Sequence, residues 1–312
     1  MDEGTTKFNI MLSEELKKFS NEVSSKIYFE YDLKKSNWFN IGGKAKIYFR
    51  PDNLPDLLLF LKKFGSKEKI HILGAGSNIL ISDNTLDGVV IRLGKNFSNI
   101  SILPNGVIVA GSSCLDRKLS DFALENEVGG FEFLACIPGT IGGGLKMNAG
   151  CFNKEFKDIL ISIQAIDKEG RVLTIPSNKV IFKYRSNDLP DDLIFLSASF
   201  KGEKKNKDKI KKEVFELKNR KDSTQPTKIK TSGSTFKNPI NQSDKKVWQL
   251  IKESVPLDTS FGDACISDKH CNFFVNKNNA SFDDMSKLIK FVQDAVQKKT
   301  GIILEKEIKI LE

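Results

Sequence analysis

The feature that most constrains this chain is the run Ile137-Pro138-Gly139-Thr140-Ile141-Gly142-Gly143-Gly144-Leu145-Lys146-Met147-Asn148-Ala149-Gly150. It holds five glycines, and so close together they read as ligand approach rather than packing. Glycine loses more backbone entropy on folding than any other residue. It collects where φ must be positive or where another group comes close to the backbone. Pro138 fixes the approach and removes one donor. Thr140, Asn148 and the amides of Gly139, Gly142 and Gly143 can then face an anion, because successive free N–H groups make a phosphate site. The competing reading is a glycine-rich turn that crosses a core.

A second loop points the same way. Residues 70–73 read as a short buried strand that runs into Gly74-Ala75-Gly76-Ser77-Asn78. The loop begins like G-x-G-x-x-G, but Ile79 stands at the third glycine position. Residues 79–84 are short and β-like rather than a crossover helix, and no acid closes a second strand about twenty residues on. The loop therefore joins strand to strand, and its amides still form an anion nest. Two such loops suit a diphosphate held between two subdomains. A β-carbon at Gly76 or Gly139 is expected to collide with it.

Bulk properties exclude several alternatives. At 312 residues the chain can hold two or three domains. Its 39% hydrophobic and 29% charged residues are those of a soluble globular protein. No apolar run reaches membrane-span length and no signal peptide opens the sequence, so a cytoplasmic location is expected. The five cysteines form no C-x-x-C and there are only two histidines, which argues against a metal centre. Redox chemistry would then need an organic cofactor. Net charge is +9, and residues 201–230 hold twelve Lys/Arg against five Asp/Glu. That stretch reads as a solvated helix face or linker, or as a field that attracts an anionic substrate. Nucleic acid is a third option, but Phe215 is its one aromatic and it matches no nucleic-acid module.

In chain order, residues 1–34 read as a polar lead with one amphipathic helix carrying Leu12, Leu16 and Phe19, opened at Ser13. Residues 37–50 read as strand, 51–63 as helix, and 89–91, 100–103 and 107–110 as strands. Residues 115–126 read as helix. A hairpin spans 159–175, and 182–185 and 193–200 are strands. The basic stretch 201–222 is expected to be a helix crossing between domains. Gln225-Pro226 marks a boundary. Beyond it come a helix at 245–253, two short strands within 264–275, a helix at 282–300 buried through Met285, Leu288, Ile289, Val292 and Val296, and a last strand at 302–311.

Seven motifs stand in register: Phe39-Asn40-Ile41-Gly42-Gly43-Lys44-Ala45, the 74–78 loop, the 137–150 run, Tyr184-Arg185, the 233–239 segment, the 267–273 segment and Leu304-Glu305-Lys306-Glu307. Together they closely resemble the UDP-N-acetylenolpyruvoylglucosamine reductase (MurB) family of peptidoglycan synthesis, in its shorter class without an extra substrate-covering insertion. The resemblance implies an α+β fold: two FAD-binding subdomains of the p-cresol methylhydroxylase (VAO/PCMH) type and a separate C-terminal α+β substrate domain. The implied division is a lead at 1–34, an FAD-binding domain at 35–200 (subdomains about 35–93 and 94–200, joined by the C-terminal strand 301–312), and a substrate domain at 205–300. It implies non-covalent FAD, NADPH as co-substrate and UDP-N-acetylglucosamine enolpyruvate as substrate, with no nucleic-acid or membrane partner, no metal and a monomeric chain.

The cofactor residues implied are Gly74, Ala75, Gly76, Ser77, Asn78, Ile79, Gly111, Pro138, Gly139, Thr140, Gly142, Gly143 and Asn148. Tyr184, Lys237 and Asn238 are implied for the substrate. Reducing an enolpyruvyl ether needs a hydride at the vinyl carbon and a proton at its neighbour. The resemblance assigns Arg185 to the developing negative charge, Ser234 to the proton and Glu307 to the flavin site. Read without it, Arg185 is a surface ion pair, Ser234 a turn serine, Glu307 a solvated strand residue and His270 a structural hydrogen-bonder. Three departures stand out: Asn187 where the family pattern has serine, Cys151 after Asn-Ala-Gly, and Lys306 where proline is usual. The rival activities are another flavin oxidase or dehydrogenase of this fold, which would not need the 233–239 and Glu307 motifs together, and a non-catalytic nucleotide- or RNA-binding protein.

Overall fold

The computed structural model describes residues 14–312. Leu12 and Ser13, expected in the first helix, lie outside the described residues. Residues 14–19 are helical and bury Leu16 and Phe19. Phe19 meets the rings of Phe49, Phe60 and Phe64 edge-on, at centroid distances of 6.3, 5.9 and 5.3 Å. Each such pair contributes about 0.5–1.5 kcal/mol beyond its buried area.

The lead does not run to residue 34 as expected. Lys26–Asp32 is a strand, paired antiparallel with Lys44–Arg50 through Tyr28↔Tyr48. Ile27, Phe29 and Tyr31 alternate with more exposed residues, the period-2 pattern of a half-buried strand. The sheet continues with Leu86–Ile91 and then Ile70–Ile72, both joined in parallel. Ile70–Ile72 was expected to be buried, yet Ile72 is 41% exposed because it faces the central cavity. The helix Leu54–Phe64 covers this sheet with Leu57, Phe60, Leu61 and Phe64. Its start is fixed by Asn53, whose side chain accepts from the Asp56 amide at 2.8 Å.

The second sheet has five antiparallel strands in the order Val172–Pro176, Leu160–Ile166, Ile194–Phe200, Ile108–Gly111, Ile100–Ile102. Phe131, Phe133, Phe156 and Phe200 fill the core between it and the helix Asp116–Glu125. The 137–150 run is not all loop, since Ile141–Lys146 forms a short helix. The basic helix Lys207–Thr224 does not simply bridge two domains. Ile210 and Val214, one turn apart, are buried, and Lys205 just before it donates to Glu132 Oε1 at 2.8 Å. The helix is thereby docked on this second layer.

The C-terminal unit packs the helices Val247–Ser254 and Phe282–Thr300 on the strands Ser260–Phe261, Ala264–Ile266 and Phe274–Asn276. Ser281 and Asp284 form a capping box at the start of the long helix, and Gly301, at φ 75°, closes it. Phe39, Ile41 and Leu80 of the first layer enter this unit's core. The last strand is shorter than expected: Lys309–Leu311 pairs in parallel with Ile79–Ile81, and Lys306 makes an isolated bridge to Phe236. Leu304 and Ile308 are buried in the C-terminal core, so the preceding segment packs rather than extending the ladder. Among the described residues no helix is long and apolar enough to cross a membrane.

Candidate active site

A cavity of about 960 Å³ opens where the three layers meet, and both glycine loops line it. The two loops are built differently. Among the described residues, none of the five amides from Gly74 to Asn78 has an acceptor, so five successive N–H groups are free for an anion. Gly76 is required by the chain itself. Its φ is +69°, and a β-carbon there would stand 2.3 Å from the Ser36 carbonyl oxygen. The expected collision with a diphosphate is therefore not what selects this glycine.

In the 137–150 run the reading as a glycine-rich turn packed on a core holds in part. The Gly142 amide, expected to face an anion, donates instead to the Ser112 carbonyl at 2.8 Å. A β-carbon on Gly144 would meet the Phe156 ring at 2.3 Å, and one on Gly150 would meet the Lys154 carbonyl at 2.2 Å. Those two glycines do serve packing. At Gly139 the obstacle is the Asp116 carboxylate, 2.7 Å from a built β-carbon. Gly143 alone of the five is open, with nothing nearer than Thr140 Oγ1 at 3.6 Å. The amides of Gly139, Thr140 and Gly143 have no acceptor among the described residues.

Three expected site residues do not line the cavity. Gly111 faces the Phe97 carbonyl, which a β-carbon would meet at 2.0 Å. Asn148 is fully buried and donates to Glu155 Oε2 at 3.0 Å and to the Lys183 carbonyl at 3.1 Å, which ties the hairpin beyond it to the glycine run. Lys237 turns to Glu305 at 3.3 Å. The other expected cofactor residues, with Tyr184, Arg185, Ser234, Asn238 and Glu307, all reach the wall.

A further part of the cavity wall is built around Arg185. Phe182–Lys183 and Ser186–Asn187 pair as a tight hairpin, and Arg185 sits at its tip with φ 57°. Its guanidinium lies 4.8 Å from the Tyr184 ring centroid, a cation–π contact. Nη2 donates to the Gly150 carbonyl at 2.7 Å, Nε donates to Glu307 Oε1 at 3.1 Å, and Glu155 Oε1 stands 3.7 Å from Nη1. The side chains of Arg185 and Glu307 are only 16% and 17% exposed, so this is no surface ion pair and Glu307 is not solvated. Burial raises the Glu307 carboxyl above the usual carboxylate range, against the pull of Arg185 and Lys237.

The Glu307 amide donates to the Thr235 carbonyl at 2.8 Å, which brings the segment carrying Ser234 alongside. Gly233, at φ 78°, turns that segment into the cavity. Asn238 Nδ2 donates to the Tyr184 hydroxyl at 3.3 Å. His270 does act structurally: its Nδ1 accepts from the Asn272 amide at 3.3 Å, and its ring packs on Phe273. Asn187, the departure next to Arg185, donates to the carbonyls of Leu145 and Lys146 at 2.9 and 3.0 Å. It caps the helix of the glycine run and anchors the hairpin from behind.

Sequence reasoning missed Ser112, Asp116 and Thr231. All three line the cavity, and Ser112 Oγ, Thr231 Oγ1 and both Asp116 oxygens are buried without a partner among the described residues. Nothing in the sequence marks them, because burial is set by the fold. Unpaired buried polar atoms beside free amides fit a large, partly anionic ligand rich in hydrogen-bonding groups.

This architecture defines a class, the flavoenzymes that hold FAD across two α+β subdomains and present it to a third unit. The description of an FAD binding domain matches residues 45–176, and that of the C-terminal domain of UDP-N-acetylenolpyruvoylglucosamine reductase matches residues 225–311. The reductase of that name from Pelagibacter ubique is 80% identical over 301 residues, which cover 96% of this chain and 100% of the relative. The Rickettsia conorii reductase is 47% identical over 280 residues, 90% of this chain and 94% of that one. The crystal structure of the reductase (MurB) from Thermus caldophilus superposes with a TM-score of 0.79 at 27% identity, covering 92% of this chain and 99% of that chain. The chain belongs to the UDP-N-acetylenolpyruvoylglucosamine reductase family. The fold, the flavin cofactor and the oxidoreductase class expected from the sequence are thereby borne out.

Proposed function

We propose that this enzyme reduces UDP-N-acetylglucosamine enolpyruvate to UDP-N-acetylmuramate, with Arg185, Ser234 and Glu307 carrying the chemistry. The observation that supports this best is the Arg185–Glu307 pair, 3.1 Å apart and largely buried on a cavity wall shared with Ser234. Bound FAD, reduced by NADPH, supplies the hydride that goes to the vinyl carbon. The free amides of 74–78, with those of Gly139, Thr140 and Gly143, hold the cofactor diphosphate.

Arg185 meets the substrate carboxylate, where negative charge builds as the vinyl group is reduced. A fixed guanidinium suits that role because its fork is preorganised and always charged. Glu155 and Glu307 hold it in place. Ser234 gives the proton to the carbon next to the one reduced. A serine hydroxyl is a weak acid, and it serves here only against a strongly basic carbanion. Glu307 keeps its own proton to a higher pH than a free glutamate and offers a neutral donor beside the enolate. Tyr184 and Asn238, joined by their hydrogen bond, receive the nucleotide portion of the substrate. Lys237 acts from behind, through its charge on Glu307.

The five free cysteines fit a reducing, cytoplasmic compartment. Anaerobic stopped-flow of the two half-reactions tests the assignment. The NADPH-reduced enzyme should be reoxidised by UDP-N-acetylglucosamine enolpyruvate, and failure of the parent to do so would overturn it.

A further inference from the structure

The cofactor end of the cavity holds a side chain that the reaction does not use. Asp116 opens the helix Asp116–Glu125, and its backbone N–H donates to the Gly139 carbonyl at 3.1 Å. Its carboxyl is fully buried, and among the described residues neither oxygen has a hydrogen-bond partner. An acid in that condition weakens the fold and persists only where something else makes use of it.

Its position shows what that is. A β-carbon built on Gly139 would stand 2.7 Å from Asp116 Oδ2 and 3.8 Å from Ser77 Oγ. The carboxyl, the Gly139 backbone and the Ser77 hydroxyl thus converge where the two glycine loops face each other on the cavity wall. Ser112 Oγ, also buried and unpartnered, lines the same wall.

We propose that Asp116 is a ligand of the bound flavin, its carboxyl hydrogen-bonding the diphosphate–ribityl portion where the two loops meet. The assignment rests on the FAD reading and adds a residue to it. An ionised carboxylate would repel a diphosphate, so the chemistry requires the neutral acid. Burial pushes this carboxyl well above the usual range, and among the described residues no cation sits against it to reverse the shift. The neighbouring Cys114 thiol is itself pushed up to about 11, by burial first and by Asp116 second. A neutral carboxyl has one O–H donor and retains acceptor capacity, so it can donate to a phosphate oxygen while accepting from a hydroxyl.

The test titrates FAD into flavin-free protein, read by quenching of flavin fluorescence, for the parent, Asp116→Asn and Asp116→Ala. Thermal melts of the three apoproteins accompany it. Asparagine keeps a neutral donor and an acceptor in the same shape, so Asp116→Asn should bind FAD within about threefold of the parent. Asp116→Ala should bind roughly ten- to a hundredfold more weakly, the range for one hydrogen bond to a charged group. Its apoprotein should nonetheless melt no lower than the parent, because a costly unpaired group has been removed. A structural role would lower stability and leave affinity alone. Parent-like FAD affinity in Asp116→Ala overturns the assignment. Asp116→Asn as weak as Asp116→Ala overturns the neutral-donor form of it. A parent that binds no FAD overturns the flavin reading on which it rests.

Discussion

The two ends of the cavity meet negative charge by opposite means. At the cofactor end the walls of 74–79 and 137–144 carry no charged side chain. Free amides face the cavity there, and burial raises the Asp116 carboxyl beside them well above the usual range. Around Arg185 a buried guanidinium sits between the carboxyl groups of Glu155 and Glu307. On the proposed assignment, the difference follows from what each end binds. A diphosphate is a permanent anion, and fixed backbone dipoles match it without an ionisable group that could change state. The enolate exists only during the reaction, so its end needs charge and an exchangeable proton in place beforehand, kept in check by neighbours.

Ser234→Ala is the strongest way to break this contrast. It should slow reoxidation by the enolpyruvyl substrate by roughly 10²–10⁴-fold, the usual worth of a positioned acid. Flavin content and reduction by NADPH should be untouched, and Ser234→Cys should regain part of the rate. Parent-like reoxidation in stopped-flow would make Ser234 a loop serine.

Arg185→Ala should come next, with turnover down roughly 10²–10³-fold for one lost donor to the developing charge and a yellow protein on purification. A defect confined to the NADPH half-reaction would place Arg185 at the wrong end of the cavity.

The neighbours Gly143 and Gly144 sharpen the contrast within one helix. Gly144→Ala should cost about 1–3 kcal/mol of stability, because its β-carbon has no room against Phe156. Gly143→Ala should leave the apoprotein at least as stable, since alanine favours helix by about 1 kcal/mol, yet weaken FAD. Chemical denaturation and flavin titration of both variants decide the point. Equal behaviour in the pair would erase the distinction between an open glycine and a packed one.

The smallest effect is expected of Glu307→Gln, seen in the pH profile. The raised carboxyl is protonated below its shifted value, so turnover should decline as pH rises through that value. The stability it confers has the same sign, complete below the ordinary carboxylate range and lost as pH rises through the raised one. Glutamine keeps a neutral donor, so the decline should vanish. An unchanged alkaline limb would assign it to another group.

Much of this was legible in the sequence. The helix Phe282–Thr300 falls at its expected residues because its apolar stripe repeats at helical spacing and Ser281 caps it. The strand-to-strand character of 74–78 came from Ile79 and the β-like run behind it. The failures share one cause. Lys26–Asp32 has a strand's alternation but needed Lys44–Arg50 to become one. Gly76, Gly144 and Gly150 announced a close approach in the sequence. What approaches is the chain itself, at Ser36, Phe156 and Lys154, and only the fold names those partners. Glu307 read by itself as a solvated strand residue and Asp116 went unmarked, because a carboxyl's state depends on how much water the tertiary structure removes from it and on which charges it leaves nearby. Local pattern set where helices, strands and tight turns fall, since those depend on near neighbours. Which glycines face a ligand and which acids keep their protons was decided only when residues distant in the chain came together.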